Sequence, residues 1–456
     1  MQEKTYLKWY NKVGYGSGDI AGNVVYALLS SFVMIYLTNT VGLNSGIVGT
    51  LIAASKLFDG VTDVFFGAMI DKTRTRLGRA RPWMLYAYLG CAVTLIAIFA
   101  IPADMSKTSQ YIWFFIAYTL LNAVFYTANN IAYSALTALV TKNSKERVQM
   151  GSCRFIFAFA ASLLIQSVTV GGVAVCGGGA AGWRTIAVIY AVIGLVFNTI
   201  SVLSVKELSE EELTDAASAS VQSEQYGLMD AAKLLLSNKY YMMICAVYIL
   251  QQVYTVMINM GIYYMTNVLN DENLYGVFSW AVNIPLIVAL VFTPTLVARW
   301  KGMYKLNLRG YMLGTFGRAM VIVAGSMRNV PMMLFFTAVA AFGQGPWQGD
   351  MNAVIASCSE YTYLTKHKRV DGTMYSCTSL GVKLGGGLGT AVAGWLLAAS
   401  GFDGAAPLQT YSCIQMLHFM YLWFPMIISL IIMLVLSRMN VEQANEELRK
   451  QRVNNM

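Results

Sequence analysis

Three ionisable side chains lie close together in one apolar stretch of the sequence. Lys56, Asp59 and Asp63 occur in the run KLFDGVTD, and their i, i+3, i+7 spacing places them on one helical face. Two carboxylates one turn apart in a low dielectric repel each other, so one takes up a proton or both share a cation. Oxygen ligands suit a hard ion such as Na⁺. The spacing predicts a cation site; the alternative is a structural ladder in which Lys56 neutralises the acids.

Further polar residues interrupt other apolar runs. Asp19 occurs in YGSGDIAGN, with Asn23 one turn later on the same helical face. Asp19 either pairs with a basic residue near the helix end or contacts a ligand. The run YTANN places Thr127, Asn129 and Asn130 in an apolar segment. Their amides either link helices by hydrogen bonds or face a polar cavity.

Two basic residues and one tryptophan complete the set of candidates. Arg154 begins an apolar run, where it either snorkels to the interface or lines a cavity. Lys383 lies too deep in its run to snorkel, so we expect it to line a cavity. Trp347 and Asp350 follow Pro346 in GQGPWQGD. A tryptophan beside a broken helix either sits at the membrane interface or stacks on a sugar ring.

The composition indicates which elements position these residues. Of the 456 residues, 57% are hydrophobic and 12% are charged, about half the charged fraction of a soluble protein. A bilayer span needs about 20 apolar residues. This excludes a nucleic-acid-binding domain and a soluble enzyme with one core, and the chain has no GxSxG, HExxH or P-loop motif. We predict a polytopic α-helical membrane protein that is not an enzyme, with twelve spans at 15–40, 46–70, 83–102, 110–140, 149–175, 184–205, 240–268, 274–298, 307–326, 331–357, 372–399 and 411–437.

The basic residues are distributed unevenly between the predicted loops. Of the 32 Lys and Arg, 25 lie in the two tails and in alternate loops. This is the positive-inside pattern, which predicts a multi-pass protein of the cell (inner) membrane with both termini in the cytoplasm. The seven cysteines are scattered without CxxC spacing, so neither a disulfide framework nor a zinc site is expected. The first apolar run is too long for a signal peptide and is interpreted as the first span.

The spans divide into two groups of six. The longest polar stretch, 206–239, is predicted to be a cytoplasmic linker with an amphipathic helix. It separates an N-terminal bundle at 1–205 from a C-terminal bundle at 240–437, which a cytoplasmic tail at 438–456 follows. YLTN at 36–39 recurs as YMTN at 264–267, an offset of 228 residues. This echo indicates a duplicated six-helix unit. The glycine clusters follow no strand, so we interpret them as helix-packing positions.

Several of these runs together resemble a known family. YGSGDIAGN, FDGVTDVFFGAMIDKTRTRLGRARPW, NNIAYSAL and KERVQMGSCRFIFA are similar to the glycoside–pentoside–hexuronide cation symporters of the major facilitator superfamily. The similarity is strong in the N-terminal half and looser in the C-terminal half. It implies an all-α membrane protein with the major facilitator fold, twelve transmembrane helices in two pseudo-symmetric six-helix bundles, and a substrate near the midplane between them.

The resemblance also implies roles for individual residues. Asp59, Asp63 and Thr127 match cation-site positions of the family, with Na⁺ on the two acids, and Arg154 and Lys383 match residues of its sugar pocket. Asn23 and Asn130 stand where melibiose-type members of the family carry acids. This difference favours the glucuronide-transporting branch. The full substrate-binding set is Asp19, Asn23, Tyr26, Asn130, Arg154, Trp347 and Lys383.

The basic loop DKTRTRLGRARPW matches the segment that latches helices between conformations in the family. Its predicted latch residues are Asp71, Arg74, Arg76, Gly78, Arg79 and Arg81.

The predicted function is therefore import of a sugar or glycoside, such as a glucuronide, coupled to Na⁺ or H⁺ and without a cofactor. The alternatives are a neutral-glycoside symporter and a lipid or drug transporter on the same fold. The expected partners are the sugar, a monovalent cation and the lipid bilayer, with no nucleic acid, and the expected state is a monomer.

Overall fold

The computed structural model describes residues 5–141, 143–208, 235–300, 302–366, 381–406 and 408–454. Within these ranges it describes only the backbone at 57, 59–61, 63–64, 68, 71, 138, 144–145, 147–148, 294, 298, 352 and 452–454. The chain divides into two compact units. Unit 1 is Met1–Val221 with Gly394–Thr410, and unit 2 is Gln222–Ala393 with Tyr411–Met456. Most of the predicted linker, including its amphipathic helix, lies outside the described residues.

Unit 1 is built from long apolar helices. In chain order they are α1 (Trp9–Gly16), α2 (Gly18–Ile35), α3 (Ser45–Lys72), α4 (Arg81–Ile98), α5 (Lys107–Thr119), α6 (Thr127–Val140), α7 (Ser144–Val175) and α8 (Gly179–Ser204). Helix α2 packs against α7 and α8, and α6 packs against α3 and α4. Polar caps define where helices begin: Asn44 Oδ1 accepts hydrogen bonds from Gly46 N and Ile47 N, 2.9 and 3.2 Å away, at the start of α3.

Unit 2 is built in the same way. Its helices are α9 (Lys239–Asn259), α10 (Gly261–Asn267), α11 (Leu274–Trp300), α12 (Met303–Ser326), α13 (Val330–Lys366), α14 (Gly386–Ala399), α15 (Tyr411–His418), α16 (Phe424–Leu436) and α17 (Val441–Asn454). Helix α13 packs against α11 and α12. The end of α14, from Gly394, belongs to unit 1. The predicted C-terminal tail contains α17, which packs against α13, where Asn445 Nδ2 donates to the Ser357 carbonyl at 2.9 Å.

Length and composition identify nine membrane-spanning candidates among the described residues. Three other long helices, α3, α12 and α13, complete the set of twelve predicted spans. These three carry the ionisable residues Lys56, Arg318 and Asp350 inside their apolar runs. Large apolar side chains such as Phe155 and Val291 are more than 60% exposed, as lipid-facing residues are. The all-α membrane architecture predicted from the sequence is confirmed.

Four short π-helical segments interrupt the α-helices in the part of the chain that the structure describes. They are Tyr36–Thr40, Leu120–Tyr126, Gly381–Gly385 and Phe419–Trp423. Such segments occur frequently at functional sites, because the wider turn redirects neighbouring side chains. Leu120–Tyr126 ends directly before Thr127, and Gly381–Gly385 contains Lys383. Two residues predicted to bind cation or sugar therefore lie in or beside a π-helical segment.

A buried carboxylate fastens the N-terminal segment to the start of α7. Glu146 is 2% exposed. Its oxygens accept hydrogen bonds from Leu7 N (3.0 Å), Tyr6 N (3.2 Å) and Thr141 Oγ1 (2.7 Å), and Lys12 Nζ lies 3.4 Å from Oε1. Burial by itself raises the pKa of the carboxyl group, but the hydrogen bonds from Thr141 and the two amides outweigh it and lower the pKa.

This clamp makes the N-terminal segment sensitive to substitution and to acid. A carboxyl group with a lowered pKa stabilises the fold above its unfolded-state pKa, and this contribution is lost as the pH falls through the folded-state value. Glu146→Gln should weaken the hydrogen bonds to the backbone amides of Tyr6 and Leu7 and lower the free energy of unfolding by about 2 kcal/mol. We expect faster tryptic cleavage after Lys8 in the variant at neutral pH. The control is Gln166→Ala, since the Gln166 amide contacts Ser162 on the same helix and lies away from the N-terminal segment. Cleavage of Glu146→Gln no faster than that of this control would contradict the clamp.

Candidate functional site

A charged pair lies inside unit 1. Arg154 Nε on α7 donates to Asp19 Oδ2 on α2 at 2.7 Å, and a second guanidinium nitrogen lies 3.5 Å from Oδ1. The two side chains are 23% and 16% exposed, so they remain within reach of a ligand. The Arg154 guanidinium also lies 4.0 Å from the Tyr133 ring centroid, a cation–π contact. Of the two roles that the sequence left open for Asp19, the structure shows the pairing with a basic residue.

Tyrosines and a glycine position this pair. The Tyr133 hydroxyl lies 3.0 Å from Asp19 Oδ2 and 2.8 Å from the Tyr15 carbonyl oxygen, while Tyr15 donates to the Tyr133 carbonyl at 2.8 Å. A side chain at Gly16 would lie 2.7 Å from Cys153 Cβ. Only glycine therefore lets the junction of α1 and α2 approach α7 closely enough for Arg154 to reach Asp19. The helix-packing interpretation of YGSGD agrees with this geometry.

More polar groups extend from the pair along α2 and α6. Asn23 is half-buried, and its Nδ2 donates to the Asp19 carbonyl at 2.9 Å. Tyr26 is 44% exposed, and Asn130 is exposed. The Tyr126 hydroxyl lies close to Gly22 on α2, 3.8 Å from the position that a Cβ atom would occupy there. The structure thus brings Asp19 and Arg154 together, with Asn23 one turn further along α2. It adds Tyr133, which the sequence analysis missed although it stands within NNIAYSAL.

The neighbouring asparagine has a different role. Asn129 is 7% exposed, and its Nδ2 donates to the Met84 carbonyl at 2.8 Å and lies 3.0 Å from Asn198 Oδ1. Asn198 also donates to the Met84 carbonyl, at 3.0 Å. These bonds join α4, α6 and α8. Of the two roles considered for the YTANN amides, Asn129 therefore links helices, whereas Asn130 is exposed and its cavity role stays a prediction.

The predicted cation residues lie on α3 and α6, which pack together. Helix α3 is continuous from Ser45 to Lys72, so Lys56, Asp59 and Asp63 share one helix as their spacing predicts. The side chains of Asp59 and Asp63 lie outside the described residues. Thr127 is 7% exposed, and its Oγ1 donates to the Asn122 carbonyl at 2.9 Å across the π-helical turn. The cation site stays a prediction.

Two of the residues singled out in unit 2 are deeply buried. Trp347 is 1% exposed, and its Nε1 donates to Gln251 Oε1 at 3.1 Å. Its ring therefore packs in the core of unit 2 in this conformation. Asp350 is 6% exposed and lies against Asn307, whose Nδ2 is 2.9 and 3.0 Å from the two carboxylate oxygens. Lys383 is half-buried within the π-helical segment Gly381–Gly385.

A further charged residue, Arg318, lies deep in unit 2. Arg318 on α12 is 2% exposed, and its Nε donates to the Tyr254 hydroxyl at 2.6 Å. Gln344 Nε2 lies 3.1 Å from the same hydroxyl. Among the described residues, Arg318 Nη1 has no hydrogen-bond partner. The sequence placed Arg318 in an apolar segment, but only the fold reveals that Tyr254 and Gln344 surround it.

The predicted latch loop forms a tight turn at the end of unit 1. Gly78 N donates to the Thr75 carbonyl at 3.0 Å, and Thr75 Oγ1 donates to the Gly78 carbonyl at 2.8 Å. Gly78 has φ +114°, which favours glycine. The Glu207 carboxylate then accepts hydrogen bonds from Arg79 N at 2.7 Å and from Ala80 N and Arg81 N at 3.0 Å each. Glu207 thereby caps the N-terminus of α4. The side chain of Asp71 lies outside the described residues.

Unit 2 contains an equivalent helix cap. Gly302, with φ +148°, precedes α12, and the Glu442 carboxylate accepts hydrogen bonds from Met303 N at 2.8 Å and Tyr304 N at 3.0 Å. In both units the glutamate follows the last apolar helix and caps the helix that begins after the glycine. A carboxylate is favourable there because it satisfies free amides and faces the positive end of the helix dipole.

Substituting the two capping glutamates tests whether they stabilise their helices in the same way. Glu207→Gln should lower the stability of unit 1 by about 1–2 kcal/mol, because three amides lose a charged acceptor. Glu442→Gln should have a smaller effect, since only two amides depend on it. Thermal unfolding of the purified protein measures both. Glu446→Gln, at an exposed site on α17, is the control; an equal effect in all three variants would contradict capping.

Long apolar helices in two similarly built units, with a charged pair held within the span of one unit, are typical of a membrane transporter. A family model described as MFS/sugar transport protein matches residues 14–443. The chain belongs to this family, and it is a multi-pass membrane transporter and not an enzyme.

Relatives with printed functions are similar over most of the chain. The isoprimeverose transporter of Lactiplantibacillus pentosus is 27% identical over 430 residues, 93% of this chain and 87% of the relative. The glucuronide carrier protein homolog of Escherichia coli (strain K12) is 27% identical over 404 residues, 87% of this chain and 85% of the relative. The putative glycoside/cation symporter YagG of the same organism is 25% identical over 448 residues, 97% of this chain and 94% of the relative.

Solved structures support the fold. The D-xylose-proton symporter superposes with a TM-score of 0.59 at 16% identity, covering 94% of this chain and 95% of that one. The nucleoside transporter NupG superposes with a TM-score of 0.62 at 12% identity, covering 93% of this chain and 98% of that one. At these identities the similarity concerns the fold alone, and it agrees with the predicted major facilitator architecture.

Proposed function

We propose that the protein is a cation-coupled glycoside symporter and that the Asp19–Arg154 pair holds the sugar. The observation that carries this proposal is the pair itself, partly exposed within a bilayer helix bundle and surrounded by hydroxyl and amide groups. Ionised groups inside spans are costly and are kept where they serve function. A carboxylate accepts and a guanidinium donates hydrogen bonds, which together match the hydroxyl groups of a sugar. An apolar lipid or drug would instead be matched by a largely apolar cavity.

The pairing also bears on the charge of the substrate. The sequence favours an acidic glycoside, because Asn23 and Asn130 stand in place of two acids while the basic residues Arg154 and Lys383 remain. Asp19 neutralises Arg154 at 2.7 Å, so the described site in unit 1 has no surplus positive charge. We therefore place a neutral glycoside first. A glucuronide or other uronide is the second candidate, supported by the similarity to the glucuronide carrier homolog.

Counterflow into proteoliposomes tests the proposal. Vesicles preloaded with one glycoside are diluted into a panel of labelled neutral glycosides and their uronide counterparts, with and without Na⁺. We expect saturable, cation-stimulated exchange of a neutral glycoside, and weaker competition by the matching uronide at equal concentration. Stronger competition by the uronide would assign the second candidate. Exchange of no glycoside, together with transport of a lipid or drug analogue, would reject the proposed function.

The proposed binding place of the coupling ion is on α3 and α6. We infer that Asp59 and Asp63, with Thr127 nearby, bind Na⁺, because carboxylate and hydroxyl oxygens suit a hard cation. The second candidate for the coupling ion is a proton, which Asp350 would carry. Asp350 is a buried carboxyl group that accepts hydrogen bonds from the Asn307 amide. Uptake measured against Na⁺ concentration at fixed pH, and against pH without Na⁺, separates the two ions. In a Na⁺-coupled protein, Asp350→Asn retains the Na⁺ dependence.

We also propose an orientation in the cell (inner) membrane, with both termini in the cytoplasm. The support is the concentration of Lys and Arg in alternate loops. Single cysteines at Thr75 and at Ser106, which lie in the loops at opposite ends of α4, form a matched pair for labelling in a background without native cysteines. An impermeant maleimide applied to intact cells should label the cysteine at 106 and not the one at 75. The reverse pattern would overturn the orientation.

A further inference from the structure

A buried arginine lies in the middle part of a helix of unit 2. Arg318 on α12 is 2% exposed. It stands fifteen residues after Met303 and eight before Ser326, which is about 22 and 12 Å from the two ends of α12. Its burial shows that the side chain does not snorkel to water at either end. A charged group at this depth faces the interior of the bundle and marks a candidate ligand site.

The contacts of the Arg318 guanidinium are with neutral groups. Its Nε donates to the Tyr254 hydroxyl at 2.6 Å, and its Cζ atom lies 5.2 Å from the centroid of the Tyr254 ring. Gln344 Nε2 lies 3.1 Å from the same hydroxyl. A hydroxyl and an aromatic ring stabilise a cation without neutralising it. Nη1 is buried and has no hydrogen-bond partner in the described part of the chain.

Glycines fix the position of this guanidinium. A Cβ atom at Gly317 would lie 2.7 Å from Ala340 N, and one at Gly314 would lie 3.3 Å from Gln344 Cγ. Glycine at these positions therefore allows α12 to approach α13 closely. Tyr254 contributes the contact from α9. Because three helices hold the guanidinium in this place, it is a built feature of unit 2.

The acids of unit 2 lie elsewhere. Residues 222–393 and 411–456 contain ten, of which Asp350 is the one within an apolar run. Asp350 lies against Asn307, which stands eleven residues before Arg318, about 16 Å along α12. The other nine belong by sequence to the polar stretches between and after these runs; they are Glu224, Asp230, Asp271, Glu272, Glu360, Asp371, Glu442, Glu446 and Glu447.

The chemistry of the guanidinium identifies the kind of ligand. An arginine cannot be deprotonated in a protein, and burying its charge without a counter-charge is strongly unfavourable. Water would satisfy Nη1 but leave the charge, whereas an anionic group satisfies both. The π-helical segment Phe419–Trp423 packs against α9 and α12. Such segments are frequent at functional sites.

We propose that Arg318 binds one small anionic group inside unit 2. Two sources of such a group exist: a free inorganic anion such as chloride, bound together with a neutral glycoside, or the carboxylate of an acidic glycoside. The second source rests on the proposed function, and the first does not. The ligand reaches Nη1 when the helices around Arg318 separate, because the side chain is closed off in this conformation.

The test measures the unfolding temperature of the purified full-length protein in detergent. Chloride, the sugar acid glucuronate and the neutral sugar glucose are titrated at constant Na⁺ and constant ionic strength, with a bulky organic sulfonate as the replacement anion. Wild type is compared with Arg318→Gln and with Arg318→Lys, which keeps the charge. Arg309→Gln, at an exposed arginine on the same helix, is the matched control.

The expected results depend on the charge of Arg318. In the sulfonate alone, Arg318→Gln should be at least as stable as wild type, because it removes an uncompensated buried charge. Chloride or glucuronate should stabilise wild type, Arg309→Gln and Arg318→Lys in a saturable manner and bind Arg318→Gln at least about 10-fold more weakly. Stabilisation by chloride assigns the free anion. Stabilisation by glucuronate, beyond that by glucose and without a chloride effect, assigns the substrate carboxylate.

Three results would overturn the proposal. A lower stability of Arg318→Gln in the sulfonate would show that the chain itself neutralises Arg318. An equal response of wild type and Arg318→Gln to each anion would indicate a general salt effect, and no response of wild type would leave the arginine without a ligand. The proposed function is decided separately by glycoside exchange, whose absence would leave a chloride response at Arg318 intact.

Discussion

Replacing Arg154 with glutamine should abolish glycoside binding and uptake. The Asp19 carboxylate would lose its 2.7 Å partner inside the bundle, and leaving one member of a partly buried pair alone costs about 3 kcal/mol. The same change removes the donors proposed to hold the sugar. The unpaired carboxylate predicts a lower unfolding temperature, and the lost sugar contacts predict a loss of more than about 100-fold in apparent affinity. Asp19→Asn should behave similarly. Binding of a labelled glycoside to purified protein gives the measurement.

The double variant Asp19→Asn/Arg154→Gln separates stability from recognition. It removes both charges, so no charge is left unpaired, and the unfolding temperature should recover relative to either single variant. Glycoside binding should stay lost, because both recognition groups are absent. Asn129→Ala, which removes a helix-linking amide one turn from Tyr133, is the control for a merely structural change. Recovered binding in the double variant would show that the pair is structural.

The second large effect concerns α3. Asp59→Asn and Asp63→Asn should each abolish cation-stimulated uptake while counterflow of the glycoside remains measurable. The reason is that each carboxylate supplies a hard oxygen ligand and half of the negative charge that attracts the cation. The measurement is glycoside accumulation driven by an imposed Na⁺ gradient.

Asp104→Asn is the control for this experiment, because Asp104 is an exposed acid in the loop after α4. It should leave accumulation at the wild-type level. Full Na⁺-driven accumulation in both α3 variants would remove the Na⁺ site from Asp59 and Asp63. A loss of counterflow as well as of accumulation would instead mean that the two acids also hold the sugar site together.

The sequence predicts the helices well because membrane insertion depends on local composition. Apolar runs of sufficient length identify most spans directly, and ionisable residues mark α3, α12 and α13. The helical face shared by Lys56, Asp59 and Asp63 follows from spacing within one continuous helix. These are short-range properties, so neighbouring residues suffice to infer them.

The partners of the charged residues are long-range properties. Asp19 and Arg154 are 135 residues apart, and no local pattern pairs them; their contact depends on the close approach of two helices at Gly16. Glu207 stands in a polar stretch interpreted as a linker, and its capping role depends on α4 starting beside it. The same reasoning applies to Trp347, whose burial follows from how α9 and α13 pack. Such contacts require the tertiary fold.

The π-helical segments have a consequence for how such a chain tolerates changes in length. In an α-helix each residue turns the chain by about 100°, so deleting one residue swings every later side chain to another face. A π-helical turn holds one residue more than an α-helical turn, with hydrogen bonds five residues apart instead of four. Removing one residue from Leu120–Tyr126 can therefore be absorbed by a return to α-helical bonding, which leaves the orientation of α6 intact. Insertions and deletions within transmembrane helices of related chains should be concentrated at these four segments.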